Sequence, residues 1–320
     1  MKIAVLVPCY NEELTIGKVV DDFKRELPEA DIYVYDNNSK DSTYEIAKEH
    51  SAIVKKEPRQ GKGNVVRAMF RDIDADIYIM IDGDDTYPAE CARKLMQPII
   101  DGEADMVIGD RLSNGTYAKE NKRAFHGFGN KLVQKLIGLL FKNEIKDIMT
   151  GYRVFNRYFV KTMPVLSDGF QIETEMSIHA LDKKFLLKEI PIEYRDRPEG
   201  SESKLNTFRD GYRVLTMLIS LFKDYKPMGF FSISSILFLI LGLISGVPVI
   251  LEFFKTSFVS KIPSAVLAVG FILISILSLS CGLILDTIAK NNKKDYELYL
   301  NNYKNLEKKN NTYWYKFYSN

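Results

Sequence analysis

Cysteine is scarce in this chain. Cys9, Cys91 and Cys281 are the only three in 320 residues. They lie far apart, and so make neither a Cys-x-x-Cys pair nor a disulfide framework. The part holding Cys9 and Cys91 reads as resident in a reducing compartment. His50, His126 and His179 are equally scattered and give no zinc pattern. The net charge is only +2, which excludes the strong global field that draws a protein to nucleic acid; any anion is bound by a local site. The first apolar run, Met-Lys-Ile-Ala-Val-Leu-Val-Pro, is too short for a signal peptide and gives way at once to Asn11-Glu12-Glu13.

What remains is two different materials. Up to about Lys226, short apolar or β-branched runs alternate with polar helical stretches. Candidate strands are Ile3–Pro8, Ile32–Asp36, Ile53–Lys56, Ile77–Asp82 and Met106–Gly109. Helix-like stretches such as Leu14–Leu27, Ser42–His50 and Gly63–Asp74 lie between them. Such alternation implies an α/β fold with a mostly parallel sheet covered on both faces. In open sheets of this kind the ligand site lies beyond the carboxyl ends of the strands. The polar clusters Pro8–Glu13, Asp36–Ser42 and Asp82–Pro88 fall there.

After Pro227 the composition changes. Gly229–Leu251 and Ile262–Leu285 contain no charged residue, and roughly 20 apolar residues suffice to cross a bilayer. Core helices of a soluble protein normally keep a polar stripe, which these lack. The short segment Glu252–Lys261 makes the two spans a hairpin. Lys223 and Lys226 before it, and Lys290, Lys293 and Lys294 after it, place both termini and the part before the spans in the cytoplasm, with Lys255 and Lys261 in the loop weighing slightly against. Thr207–Phe222 and Lys131–Lys142 mix basic and apolar residues, and read as helices lying in the headgroup region or packed on the sheet domain. The tail from Asn291 is rich in Asn, Lys and Tyr and shows no core pattern.

Asp82-Gly83-Asp84-Asp85 is the strongest local signal. Carboxylates at i and i+2 on a loop reach one hard cation, such as Mg²⁺ or Mn²⁺, which takes oxygen ligands and is commonly shared with substrate phosphates. A solvated acidic turn is the alternative reading, and the position after a hydrophobic strand argues against it. Asp36, emerging directly from a strand, reads as a ligand for a base or ribose, whereas Ser42 and Thr43 read as helix caps.

Pro8–Glu13, Asp36–Thr43, the turn Arg59-Gln60-Gly61-Lys62-Gly63 and Asp82–Pro88 come in the order and approximate spacing of the inverting GT-A glycosyltransferases of family two, which the chain resembles. Gly109-Asp110-Arg111, Asp147-Ile148-Met149-Thr150-Gly151-Tyr152-Arg153, Gly169-Phe170-Gln171-Ile172-Glu173 and Arg197-Pro198-Glu199-Gly200-Ser201-Glu202-Ser203-Lys204 look like the dolichyl-phosphate mannose synthase group within it. The two spans are similar to those of its bacterial and archaeal polyprenyl-phosphate members. The expected organisation is a GT-A domain over 1–206, a juxtamembrane amphipathic helix over 207–226, two membrane helices over 227–289 and a cytoplasmic tail over 290–320.

The resemblance implies roles. Pro8, Tyr10, Glu12 and Asp36 would hold the nucleoside, and Lys62 would approach it or its phosphates. Asp82 and Asp84 would hold Mg²⁺ or Mn²⁺ and the diphosphate. Arg111, Arg123, Arg197 and Lys204 would meet phosphate charge, for which the planar fork of Arg is well suited. Gln171 and Glu173 would line the sugar and acceptor side. Thr86 stands where the family often has a Gln that also faces the metal, and His126-Gly127 where it tends to carry a Ser.

The expected reaction is single displacement, with inversion, of a hexose from a nucleotide-sugar to undecaprenyl or dolichyl phosphate at a bilayer. UDP-glucose or UDP-N-acetylglucosamine is favoured over GDP-mannose by family analogy. A phosphate acceptor is already anionic, so the protein mainly positions groups and stabilises charge. Glu173 as a base and a homo-oligomer built through the spans are further possibilities. Processive polysaccharide synthases carry Gln-x-x-Arg-Trp before their membrane helices, whereas the one Trp here is Trp314, after them. Nucleotidylyltransferases open with a Gly-rich loop, which Pro8–Glu13 is not. A membrane scaffold would not need Asp82, Asp84 and the basic cluster together.

Overall fold

The apolar runs do become strands. A computed structural model describes residues 1–113, 126–141, 145–169, 171–195, 216 and 219–318. Within them β1 (Ile3–Cys9), β2 (Ala30–Asp36), β3 (Ile53–Lys56), β4 (Ile77–Met80), β5 (Met106–Asp110), β6 (Arg153–Asn156) and β7 (Leu187–Pro191) form one sheet in the order β3-β2-β1-β4-β6-β5-β7. All pairings are parallel except those of β6, which is antiparallel to both β4 and β5. β4 and β5 are buried at every residue and β1 at all but Pro8, as a sheet covered on both faces requires. β3 is an edge strand, and its exposed Lys55 and Lys56 discourage further pairing.

Helices α1 (Ile16–Glu26), α2 (Thr43–Glu49), α3 (Lys62–Asp72), α4 (Ala92–Ile100), α5 (His126–Phe141), α6 (Arg157–Thr162) and α7 (Ile172–Asp182) complete this part. α1 shows why they form: Ile16, Val19, Val20 and Phe23 recur at helical spacing and are buried, while Lys24 and Arg25 in its last turn complement the helix dipole.

Three expectations need correction. β6 and β7 have no counterpart among the expected strands: one opens with Arg153, and the other carries Lys188 and Glu189. Ser42 occupies the N-cap of α2 but its side chain makes no capping bond, and Thr43 turns away to the neighbouring loop. α5 is not simply laid on a lipid surface, because Ile137 is 1% and Leu140 7% exposed, buried beside α7.

Residues Met1–Gly211 and Tyr212–Asn320 form two compact units. The second contains α8 (Pro227–Thr256) and α9 (Ile262–Tyr318), both long and apolar enough to cross a membrane. Much of the expected juxtamembrane helix over 207–226 lies outside the described residues, and 219–225 is helical. α8 ends at Ser257, whose φ is 54°. α9 does not stop with its apolar run but continues to Tyr318. The two helices approach closely at small residues: a Cβ on Gly242 would come 2.9 Å from Ile272, and one on Gly282 2.9 Å from Phe231. Ser235 and Ser275 hydroxyls pair at 3.0 Å between them. Close backbone approach and a buried hydroxyl pair are what holds helices together where lipid is the solvent.

His179 on α7 is packed against Phe159 and Phe185, with ring centroids at 5.9 and 5.7 Å. Burial, helped by Lys183, pushes its pKa from 6.5 down to about 4. The unfolded chain therefore binds the proton first, so stability is full above 6.5 and falls as pH drops towards 4. This contribution should amount to about 3 kcal/mol. Unfolding curves of the full chain between pH 7.5 and 4 should show a steeper acid loss than those of His179→Phe; parallel curves would contradict the burial argument.

Candidate active site

The site is built where strands end. The chain crosses over between β1 and β4, so their carboxyl ends open a crevice at the point where strand order reverses. Loops after β1 and β2 are stapled together there. Asn11, at φ 53°, donates its N–H to Ser39 Oγ (2.9 Å) and accepts from Lys40 N (2.8 Å). Glu12 N donates to Thr43 Oγ1 at 2.8 Å, and Ser42 N to Glu13 Oε2 at 3.0 Å. Asp36, 1% exposed, accepts from Ser39 N. Thr15 Oγ1 then donates to Gly83 O at 2.6 Å, joining the first loop to the acidic one.

Within the acidic loop each carboxylate is engaged. Asp84 Oδ1 accepts from Thr86 Oγ1 at 2.6 Å and from Thr86 N at 3.3 Å. Asp85, at φ 59°, pairs with Lys18 at 2.7 Å. Asp82 pairs with Lys62, whose ammonium also meets Glu173 from α7. The Lys62 side chain is 9% exposed. Burial would lower its pKa, but the two facing carboxylates outweigh burial and raise it, so Lys62 is charged. Gly83 lies over Cys9, where a Cβ would come 2.6 Å from Sγ. Burial, then the carboxylates of Glu12, Asp36, Asp82 and Asp84, pushes the Cys9 thiol well up, so it is no nucleophile.

Lys62 is held from below by a latch. Gly63 N and Asn64 N both donate to Asp168 O, and Arg67 donates to Val165 O and Leu166 O. Glu175 accepts from Leu166 N and Ser167 N at 2.8 and 2.9 Å. A Cβ on Gly61 would lie 2.1 Å from Asp168 O, and one on Gly63 2.0 Å from Ser167 O. Asn37 Oδ1 accepts from Gly61 N at 2.6 Å while its amide donates to Glu57 O and Arg59 O. The glycine turn before α3 is therefore a packing latch, with the N–H groups of Gly63, Asn64 and Val65 occupied by protein.

Because β6 is antiparallel, the loop entering it reaches the same rim. Asp147, fully buried, takes a two-pronged contact from Arg111: Nε at 2.8 Å and Nη2 at 2.9 Å. Tyr194 and Tyr87 rings flank that guanidinium, with centroids at 5.5 and 6.0 Å. Gly151 N donates to Tyr87 Oη at 2.8 Å. A Cβ at Gly151 would come 2.4 Å from Asp82 Oδ2, so this backbone lies directly on the acidic loop. Arg153, fully buried, donates to Thr150 O, Ile148 O and Ser177 Oγ. Burial lowers its pKa to about 10, which leaves it charged.

The structure thus brings Asp36, Lys62, Asp82, Asp84, Arg111 and Glu173 to one rim, with Pro8, Tyr10 and Glu12 at the end of β1. Gln171 is exposed at the N-cap of α7. Arg123, Arg197 and Lys204 lie outside the described residues. Arg111 directs its fork to Asp147. Arg153 pairs with neither Asp147 nor Asp110, and Asp110 instead accepts from Leu112 N and Ser113 N. Thr86 donates its hydroxyl to Asp84. Arg111 takes one of the two partners the sequence offers it as a plain salt bridge, Asp147 and not Asp110; sequence reasoning missed the roles of Asn37 and Tyr87, and an Asn directly after a strand is the one available signal.

Comparison with known proteins decides the family. A model of glycosyl transferase family 2 matches residues 4–163, half of the chain. The chain belongs to glycosyl transferase family 2. It is a glycosyltransferase. It is 34% identical to the glycosyltransferase AglJ of Haloferax volcanii, over 72% of this chain and 75% of that one. It is 32% identical to the dolichyl-phosphate hexose transferase of the same organism, over 66% of this chain and 90% of that one. Among solved structures it shares its fold with glucosyl-3-phosphoglycerate synthase from Mycobacterium tuberculosis in complex with Mn²⁺ and UDP-glucose, at TM-score 0.54 and 20% identity, over 69% of this chain and 78% of that one.

The latch makes this family-2 site depend on glycine in a checkable way. An ordinary Gly→Ala change within a helix stabilises by up to about 1 kcal/mol. Gly63→Ala should do the opposite and destabilise by roughly 2–4 kcal/mol, since its Cβ meets backbone that cannot rotate away. Denaturant unfolding of the two proteins gives the sign, and a stabilised variant would refute the latch.

Proposed function

We propose that the protein transfers a hexose, with inversion, from a nucleotide-sugar to the phosphate of a polyprenyl phosphate, forming a lipid-linked sugar at the cytoplasmic face of a membrane. The observation that carries this reading is the state of the carboxylates. Asp82 and Glu173 share Lys62, Asp84 holds the Thr86 hydroxyl and Asp147 holds Arg111. None of these is set up to take a proton from an acceptor hydroxyl. A phosphate acceptor needs no such base, because it arrives as an anion. The two apolar helices supply the membrane in which such an acceptor resides, and the name of one relative, a dolichyl-phosphate hexose transferase, supports the same acceptor class.

Among the described residues no group of three His, Cys, Asp or Glu side chains forms a complete metal cage. The donor chemistry nonetheless fits Mg²⁺ or Mn²⁺: Asp82 and Asp84 are hard oxygen ligands two residues apart, Gly151 presents no side chain to Asp82 Oδ2, and Lys62 contacts Oδ1. Oxygens of the donor diphosphate would complete the shell, the usual arrangement for a metal delivered with a nucleotide. The bound ion would neutralise charge growing on the leaving diphosphate.

The chain's own residues do the rest. Asp36 and the stapled loops with Pro8, Tyr10 and Glu12 would hold the nucleoside, fixed in place by the bonds between Asn11, Ser39, Glu12 and Thr43. Arg111 holds the 147–151 loop against the acidic loop, a positioning role in place of the direct phosphate contact that the resemblance implies. Arg123, Arg197 and Lys204 would meet acceptor phosphate, with Gln171 on the sugar side. UDP-glucose and UDP-N-acetylglucosamine are the favoured donors.

Purified full-length protein, undecaprenyl or dolichyl phosphate, Mn²⁺ or Mg²⁺ and a panel of radiolabelled UDP- and GDP-sugars test this, with label counted in the organic phase. Labelled lipid with one donor is expected; none with any donor, from folded protein, overturns the reading. Asp84→Ala should lower turnover at least ~100-fold while leaving the protein folded and membrane-bound.

A further inference from the structure

Lys62 stands where a metal would otherwise have its way with the site. Its ammonium touches one of the two candidate metal carboxylates, Asp82, and a second carboxylate, Glu173, brought from 111 residues along the chain. Its side chain is almost wholly enclosed, and the residues on either side of it are glycines pressed on the backbone of Ser167 and Asp168. Gly61 N is fixed by Asn37, and Gly63 N by Asp168. The root of the lysine is therefore rigid, and its four-carbon stem is the part free to swing. The N–H groups of Gly63, Asn64 and Val65 in the first turn of α3 already have protein acceptors.

We propose that Lys62 is the resident counter-ion of the donor-free site: it holds Asp82 against a lone divalent cation and releases it when the metal arrives together with a diphosphate. A divalent ion reaching Asp82 alone would come close to an ammonium of like charge on an almost wholly enclosed side chain, and repulsion there is strong. Arrival with a diphosphate removes the conflict. The ammonium exchanges a carboxylate oxygen for a phosphate oxygen, keeping an anionic partner throughout, while Asp82 turns to the metal. Glu173 is the second anchor to which Lys62 stays tied during the exchange, which explains why a carboxylate this deeply buried faces the site without acting on an acceptor. A merely structural ion pair joining α3, β4 and α7 predicts something else: its removal would loosen the fold and leave metal affinity no tighter.

This rests on the reading that Asp82 and Asp84 hold the metal, and its test uses neither sugar nor lipid. Mn²⁺ binding to the detergent-solubilised full chain is measured by electron paramagnetic resonance, for the wild type and for Lys62→Gln. The amide keeps hydrogen bonds to both carboxylates and removes the charge. The variant should bind Mn²⁺ at least ten-fold more tightly in the absence of nucleotide, and UDP or GDP should raise that affinity by a smaller factor than in the wild type. Equal or weaker binding, or no binding in either protein, overturns the proposal. So does a gain that persists when Asp84→Asn is added, because the ion then sits elsewhere. Should Lys62→Gln not fold, acetylation of Lys62 in the wild type, followed by mass spectrometry, decides: saturating Mn²⁺ alone should accelerate it, and an unchanged rate with Mn²⁺ bound overturns the idea. A ten-fold gain here alongside unlabelled lipid in the transfer assay would remove the acceptor reading and leave the role of Lys62 standing.

Discussion

Carboxylates gathered in a crevice repel one another, and the site depends on how that repulsion is contained. Asp82, Asp84, Asp85, Asp147 and Glu173 all lie at or beside the carboxyl end of β4 or on elements packed there. Each has its own neutralising contact: Lys62 for Asp82 and Glu173, the Thr86 hydroxyl for Asp84, Lys18 for Asp85, Arg111 for Asp147. Buried charges persist only when paired or hydrogen-bonded. The ion pairs of Lys18, Lys62 and Arg111 do more than offset charge, because each joins elements distant in sequence. Lys18 ties α1 to the acidic loop, Lys62 ties α3 to β4 and α7, and Arg111 ties the end of β5 to the loop before β6. The same contacts that make the acidic cluster tolerable therefore set its geometry.

The antiparallel strand has a specific consequence for that geometry. In an all-parallel sheet only the loops leaving the strands reach the ligand rim. β6 runs the other way, so the loop entering it is at the rim instead, with Asp147, Thr150 and Gly151. Arg153 opens β6 fully buried, and its bonds to the carbonyls of Ile148 and Thr150 hold that loop in a tight bend. Glu189 on β7 adds a second anchor by accepting from Lys146 N and Asp147 N. Gly151 can then rest on Asp82 and donate to Tyr87. A charged residue buried at a strand start is a poor strand signal in sequence, yet it is the group that makes this strand's position useful.

That contrast shows what was legible in the sequence. β1 to β5 and the helices α1 to α3 could be read because their signal is local, in apolar runs and helical spacing, and the observed ends differ by only a few residues. The Asp82–Asp84 pair was legible for the same reason, as a short acidic run after a hydrophobic strand. Lys62 was singled out, but its partner Glu173 lies too far along the chain for spacing to join them. Gly61 and Gly63 stood in a turn that carries the resemblance, with no role of their own. They accommodate backbone from 167–168, a close approach that no local pattern encodes. The fork between Asp147 and Arg111 exists because β5 and β6 are neighbours in space.

The acceptor proposed for this enzyme and the charge balance of its crevice belong to one argument. An enzyme that must deprotonate a hydroxyl keeps a carboxylate free to accept a hydrogen bond from that hydroxyl. Glu173 beside Lys62 is the reverse of that arrangement. With an acceptor that is itself a phosphate, the site would have to manage anions on both sides of the sugar: the leaving diphosphate and the incoming lipid phosphate. Pairing within the protein offsets part of the carboxylate charge, so positive groups become available to substrate phosphates by exchange of partners and not by exposure of bare charge. On that view the ion pairs are the stored form of the electrostatic stabilisation that transfer requires, and a hairpin of two apolar helices serves the same chemistry by keeping the enzyme in the membrane that holds its second anion.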